Sequence, residues 1–442
     1  MPQLKRDLTL YGLTMIAIGS CIGAGIFQTP AQVAGQLSSP GLILLVWALG
    51  GLIALTGALT FAELGAMFPR AGGVYVYLRE GYGDLAAFWY GWAYFVVVNS
   101  GALAALTLAF AYYVGFLVPL SEAEQTAVAC AAIATVTVIN VFRVKLVELF
   151  ADLFTGLKLA GIAGIVVVGL WLGRGGLTPP AGAEVVGARD TLGAFGLALV
   201  GVFFSYGGWH HASYLSGEAR QAHRTVPRAM VLGALVVTLT YLAVNVAFLR
   251  LLGVEEMAAS RSVAADALST VLPWGATAIA VVIAVSTLGT ALIYTLSAPR
   301  IYFAMAEDGL FFAPLARVHP RFHTPVLAVL FQSAWAIALI LMWGTFEEVI
   351  TYVTFTDWIF FTAAAGLVLV FRRRRPQAER PYRTLGYPLT PLVFITVSAL
   401  FILNTLIERP AHAAWSLALL ASGLPFYAWF RCARRDRPAD RG

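Results

Sequence analysis

Apolar runs of roughly 20 residues recur from one end of this chain to the other, and no other feature constrains its fold as strongly. Crossing the hydrocarbon core of a bilayer takes about 20 consecutive apolar residues per helix. The runs read as spans over residues 9–35, 42–67, 85–118, 125–141, 146–173, 192–217, 229–252, 272–299, 325–343, 347–371, 387–407 and 412–431. Transmembrane β-strands would instead alternate apolar and polar residues over about ten positions. The expected fold is therefore an all-α integral membrane protein with 12 transmembrane helices. With 12% charged residues, against about 25% in soluble domains, the chain has too little polar surface to face water on all sides. Lys5, Arg6 and Asp7 lead directly into an apolar run with no small-residue cleavage pattern, so no cleavable signal peptide is expected.

Positive charge sets the expected orientation, because Lys and Arg in short loops stay cytoplasmic. With both termini inside, 23 of the 29 Lys and Arg residues fall in inner segments, including Arg372 to Arg375 and the tail residues Arg431 to Arg441. Only Arg174, Arg189, Arg250, Arg261 and Arg409 fall outside, and Lys158 lies within a span. A multi-pass protein of the cell inner membrane with cytoplasmic termini follows. The net charge of +6 then reflects topology and contact with anionic lipid, and no nucleic-acid partner is expected. Cys21, Cys130 and Cys432 are far apart and imply no disulfide framework. No nucleophile-base pairing, metal-ligand spacing or nucleotide loop is present, so neither an enzyme nor a cofactor or metal is expected.

Backbone polar groups in hydrocarbon must be paired, so a spanning helix is interrupted only where it is buried in protein or lines a cavity. The first span carries Gly19-Ser20-Cys21-Ile22-Gly23-Ala24-Gly25-Ile26-Phe27 near its middle, and each glycine costs a helix about 1 kcal/mol relative to alanine. The sixth carries Phe204-Ser205-Tyr206-Gly207-Gly208-Trp209-His210-His211. Taken alone, the GxxxG pair of Gly19 and Gly23 marks close helix packing. Position alters that: one segment opens a first group of five helices (8–173) and the other a second group (192–371), leaving 387–431 as an appended pair and 432–442 as a tail. Matched interrupted helices in two halves point to a transporter site.

An unwound stretch from Ser20 to Gly25 exposes amides at the start of the outer half-helix, which favour an anion such as an α-carboxylate. Glycines at Gly23 and Gly25 let a ligand approach the backbone. Freed carbonyls around Phe204, Ser205 and Gly207 would face an α-ammonium group, and the two signs together suit a zwitterion. Lys158 lies thirteen residues past Lys145 and sixteen before Arg174, roughly 20 Å from either. A lysine at that depth reads as functional; the alternative is one held only by packing carbonyls. Glu63, Glu148, Asp152 and Glu218 fall near inner helix ends and Asp357 lies in the tenth span, none adjacent in sequence to the breaks. A neutral side chain is therefore expected over a cationic amino acid or polyamine, whose transporter would set a carboxylate at the side-chain end. His210 and His211 read either as hydrogen-bonded structural residues or as a proton relay.

With these residues in view, the sequence resembles the amino acid-polyamine-organocation superfamily, and within it bacterial members of the L-type amino acid transporter group. The first-span motif Gly19 to Phe27 matches the superfamily's GSxxGxGIF pattern. Phe61-Ala62-Glu63-Leu64 followed by Phe68-Pro69-Arg70-Ala71-Gly72-Gly73-Val74-Tyr75 matches the loop after the second span. Phe204 to Trp209 matches the sixth span and Ala306-Glu307-Asp308-Gly309 a signature after the eighth. The resemblance covers residues 8 to 431 and implies a LeuT-type fold of two inverted five-helix repeats.

It further implies that the amides of Gly23, Ala24 and Gly25 take the substrate carboxylate, and that carbonyls at Cys21, Phe204 and Gly207 take its amine, with the Phe204 ring as a gate. Lys158 falls where sodium-independent members carry a lysine whose ammonium stands in for sodium. The loop Pro119 to Gln125 lacks the cysteine by which animal members bond a glycoprotein, so no disulfide-linked heavy chain is expected. Where animal relatives carry asparagine after the GGW, this chain has His210. The expected function is sodium-independent secondary transport of small neutral L-amino acids, by exchange or proton-linked uptake, through alternating access. The alternatives are a cationic amino acid or polyamine antiporter and a membrane sensor that does not translocate.

Overall fold

The computed structural model describes residues 3–175, 188–343, 347–408 and 410–435. Arg409, Arg437 and Arg441 lie outside these residues. Among the described residues every extended element is helical, and a lone β-bridge pairs Leu8 with Ala219. The first span is two helices, α1 (Leu10–Cys21) and α2 (Gly25–Gln36), bent by 41° at their junction. There follow α3 (Pro40–Met67), α4 (Asp84–Leu117), α5 (Glu122–Val141) and α6 (Val144–Leu172). The second half comprises α7 (Ala188–Ser205), the short α8 (His211–Tyr214), α9 (Ala222–Leu251), α10 (Gly275–Glu307), α11 (Val326–Trp343) and α12 (Glu347–Arg374). Helices α13 (Leu389–Glu408) and α14 (Pro410–Arg435) close the described chain. Among the described residues nine helices are long and apolar enough to cross a membrane, ten with the bent pair counted as one span, and Gly193–Ser205 and Val326–Met342 are shorter apolar helices.

Local chemistry places several helix starts. The Thr9 hydroxyl accepts from the Gly12 amide at the head of α1, and Ser121 forms a reciprocal capping box with Glu124 at the head of α5. Small residues then set the packing. A Cβ on Gly19 would come within 2.3 Å of Thr155 Oγ1 on α6 and 2.5 Å of Ile293 on α10, so α1 approaches both helices through a bare backbone. Gly23, the other half of the GxxxG pair, meets nothing closer than Leu106 at 3.4 Å. One half of the motif serves packing and the other opens onto a cavity.

Three carboxylates near helix ends are accounted for by cations. Arg300 and Glu218 are both fully buried and joined by two parallel bonds of 2.8 and 2.7 Å. Arg372 grips Glu63 at 3.0 and 2.7 Å, with the Thr384 amide adding a third bond at 2.8 Å. Glu148 accepts from the Thr9 hydroxyl and amide and from Lys145. Fork-shaped guanidinium pairing satisfies both carboxylate oxygens, which lets such charges sit inside the bundle. They tie α3 to α12, α10 to the segment after α8, and α1 to α6.

Candidate functional site

Helix α1 ends at Cys21 and α2 begins at Gly25, so Ile22, Gly23 and Ala24 carry the first break. Helix α7 ends at Ser205, and the turn 206–210 leads into α8. The two interruptions touch each other. Ser20 Oγ lies 2.8 Å from both Gly208 O and Ile16 O and shares its one proton between them, and Gly208 holds φ +124, where a Cβ would lie 2.6 Å from the Ser20 carbonyl. From α9, the Tyr241 hydroxyl lies 2.9 Å from Cys21 O and 3.0 Å from Ser205 O. A phenol has one proton to donate, so Tyr241 shares it between one carbonyl of each break.

Lys158 reaches the same place from α6. Its ammonium donates to Gly19 O at 3.0 Å, Ile22 O at 2.7 Å and Thr290 Oγ1 at 2.9 Å, and the residue is fully buried. Thr290 Oγ1 also lies 3.0 Å from both carbonyls, and Ser286 Oγ reaches Ile22 O at 3.1 Å. The carbonyls left over where α1 stops, which a continuous helix would use internally, are thus satisfied by one charge and two hydroxyls. Lys158 is held by carbonyls, as the packing alternative had it, but they belong to the break itself.

A cavity opens beside the breaks, and Ser20, Cys21, Gly23, Ala24, Gly25, Phe204, Ser205 and Gly207 all line it, whereas Lys158 does not. The amides of Ala24 and Gly25 head α2 and, like all first-turn amides, have no intrahelical acceptor. The Gly23 amide is already given to Cys21 O at 2.9 Å. Of the three carbonyls expected for an amine, Cys21 O accepts from Tyr241 and Phe204 O accepts from the Gly207 amide at 3.1 Å. Phe204 O keeps a second lone pair for a ligand, whereas Cys21 O already accepts from both the Gly23 amide and Tyr241 and would have to give up one of them.

Among the lining residues not legible as site residues in the sequence are Tyr94, Asn99, Thr290 and Asp357. The lack of a sequence neighbour led to the expectation that no carboxylate stands near the breaks, and the fold corrects it. Trp358 packs on Phe203 with ring centroids 4.3 Å apart, and Phe361 on His210 at 4.7 Å. That packing lays α12 across the second break and brings Asp357 to the cavity. His211 is hydrogen-bonded to Ser297 at 2.6 Å, whereas neither ring nitrogen of His210 has a partner. The structural alternative thus suits His211 and leaves His210 open.

Replacing Tyr241 with phenylalanine removes one neutral bridge of about 1 kcal/mol without altering the ring contacts to Trp47 and Tyr206. Initial transport rates of Tyr241→Phe are expected to fall about five-fold, with no more than a small loss of thermal stability. Wild-type rates would remove the hydroxyl from the mechanism.

Comparison with known proteins gives the same picture. Residues 8–428 match the family model described as amino acid permease. The serine/threonine exchanger SteT of Bacillus subtilis (strain 168) is 32% identical over 428 residues, covering 96% of this chain and 96% of its own. The human b(0,+)-type amino acid transporter 1 is 30% identical over 436 residues, covering 97% of this chain and 88% of its own. The human Asc-type amino acid transporter 1 is 29% identical over 433 residues, covering 96% and 82%. Spanning helices, a cavity bounded by two interrupted ones, and likeness over nearly the full length of exchangers and transporters converge: the chain is a multi-pass membrane protein that belongs to the amino acid permease family, and its business is amino acid transport.

Proposed function

We propose that the protein is a sodium-independent secondary transporter of small neutral L-amino acids, working by alternating access. The reading includes a LeuT-type arrangement of 12 spans, with α1–α2 and α7–α8 as the interrupted helices and both termini cytoplasmic. The observation that carries it is the ammonium of Lys158 on Gly19 O and Ile22 O. Carbonyls freed at a helix interruption are where sodium-coupled transporters of this architecture hold their ion; here a fixed cation fills that role.

The α-carboxylate is assigned to the Ala24 and Gly25 amides at the head of α2 and the α-ammonium to the carbonyls of Cys21, Phe204 and Gly207, with Ser20, Gly23 and Ser205 completing the wall. A cationic amino acid as substrate gains one argument from Asp357 in the cavity. Size argues against it: a cavity of about 90 Å³ is smaller than the roughly 150 Å³ that accommodates benzene. None of the three cysteines lies in the link between α4 and α5, which supports a protein acting without a partner bonded there.

The test is counterflow in proteoliposomes preloaded with unlabelled alanine. Labelled alanine, serine and threonine are expected to enter equally fast with sodium or with choline as the external cation. Strict dependence on sodium, or flux with putrescine or arginine but not alanine, would overturn the assignment, and binding without flux would make the protein a sensor.

A further inference from the structure

Asp357 is a carboxylate in the substrate cavity for which the transport reading above, on which this inference rests, has no use. Fifteen residues, or about 22 Å of helix, separate it from Arg372, whose guanidinium is committed to Glu63. Among the described residues no lysine or arginine lines the cavity. The titratable groups facing Asp357 are Tyr90 and Tyr94 from α4, His210, His211 and Tyr214 from the α7–α8 segment, and Tyr294 from α10. None of them is a fixed cation.

Beside it stand polar atoms with nothing to bind. Asn99 is fully buried, and among the described residues neither its amide nitrogen nor its oxygen makes a well-formed hydrogen bond; the same holds for both ring nitrogens of His210, while the Tyr94 hydroxyl faces the Asp357 carboxyl. Buried polar groups are ordinarily paired, so a cluster of orphans marks a place where something else binds. The backbone concurs: a π-helical turn, Tyr94–Val98, interrupts α4 immediately before Asn99, and single π-turns inside α-helices concentrate at functional sites.

A carboxylate at this depth with no counter-ion is costly as an anion and must be neutralised by a proton or by a cationic ligand. The cavity volume of about 90 Å³ leaves room for several waters at roughly 10–15 Å³ each, but not for the α-groups of a substrate together with a long cationic side chain. We propose that Asp357 is a proton-binding site that makes uptake proton-linked. The carboxylate takes one proton from water on the side of higher proton activity, carries it as a neutral carboxyl while the cavity is closed, and returns it to water on the other side. Tyr94, Asn99 and His210 hold the connecting waters and position the carboxyl.

The experiment uses proteoliposomes of the full chain loaded with a pH-sensitive dye. External alanine is expected to acidify the lumen, and an inward gradient of one pH unit to raise alanine accumulation up to ten-fold, the ratio that one proton per alanine allows. Asp357→Asn should abolish both signals and Asp357→Glu should retain both. Alanine counterflow, measured separately, distinguishes the failures. Counterflow in the wild type without proton movement overturns this proposal and leaves the transport reading standing; no counterflow at all overturns the reading itself. Undiminished proton flux in Asp357→Asn also overturns the proposal. So does lysine counterflow that this variant abolishes in the absence of any proton signal, which would make Asp357 a side-chain subsite.

Discussion

Lys158→Ala is expected to insert into the membrane at least as well as the wild type and to lose about 100-fold of the exchange rate. The two halves of that expectation come from different physics. A lysine at a helix centre costs about 2.5–3.5 kcal/mol on insertion scales, so its removal eases assembly. Transport is another matter, because the ammonium makes three bonds at the end of α1, each worth about 1.5–3 kcal/mol when one partner is charged. Thr290 and Ser286 still reach the freed carbonyls, so the net loss is nearer 3 kcal/mol than the sum, or roughly 100-fold. Initial rates of alanine counterflow, normalised to inserted protein, check this. A variant that exchanges at the wild-type rate would reduce Lys158 to packing.

Much of this was visible in the residues. The apolar runs locate the helices because hydrocarbon admits no other backbone arrangement at such lengths. Glycine density locates the breaks for a similar local reason: Gly23 lies in the gap between α1 and α2 and Gly25 borders it, and Gly207 and Gly208 lie in the gap after α7. Lys158 was legible as anomalous, since its depth follows from counting residues to Lys145 and Arg174.

What sequence distance concealed was who meets whom. Tyr241 reaches the breaks across 220 residues to Cys21, and nothing in its own span sets it apart from a core tyrosine. Asp357 lies in the tenth span, 149 positions from Gly208 and so not adjacent to either break in sequence. The Trp358–Phe203 and Phe361–His210 contacts make them walls of one cavity. Its depth, weighed as Lys158 was, would have flagged it. Glu63, Glu148 and Glu218 carried the same signal, and pairing with cations cancels it in their case.

Gly208→Ala tests the contact between the two interruptions, and it too is expected to lower exchange by roughly 100-fold. Two independent costs fall on this residue. At φ +124 an L side chain is strained, by about 1–3 kcal/mol for such sparsely populated backbone. Its Cβ would also stand 2.6 Å from the Ser20 carbonyl carbon and oxygen and 2.8 Å from the Cys21 nitrogen, which are backbone atoms and cannot rotate away. The end of α1 must retreat, and with it goes the bond from Ser20 Oγ to Gly208 O. Displacing Cys21 moves the carbonyl that Tyr241 holds and widens the spacing of the groups meant for the two ends of a zwitterion. Gly164→Ala is the control, since a Cβ there meets nothing within 4 Å and the substitution gains up to about 1 kcal/mol of helix propensity. Counterflow and thermal stability measured together separate the effects: Gly164→Ala should match or exceed the wild type in both, whereas Gly208→Ala should lose transport even where detergent-purified protein remains folded. Normal exchange by Gly208→Ala would mean that the two breaks do not need to touch, and a binding site built from both would have to be abandoned.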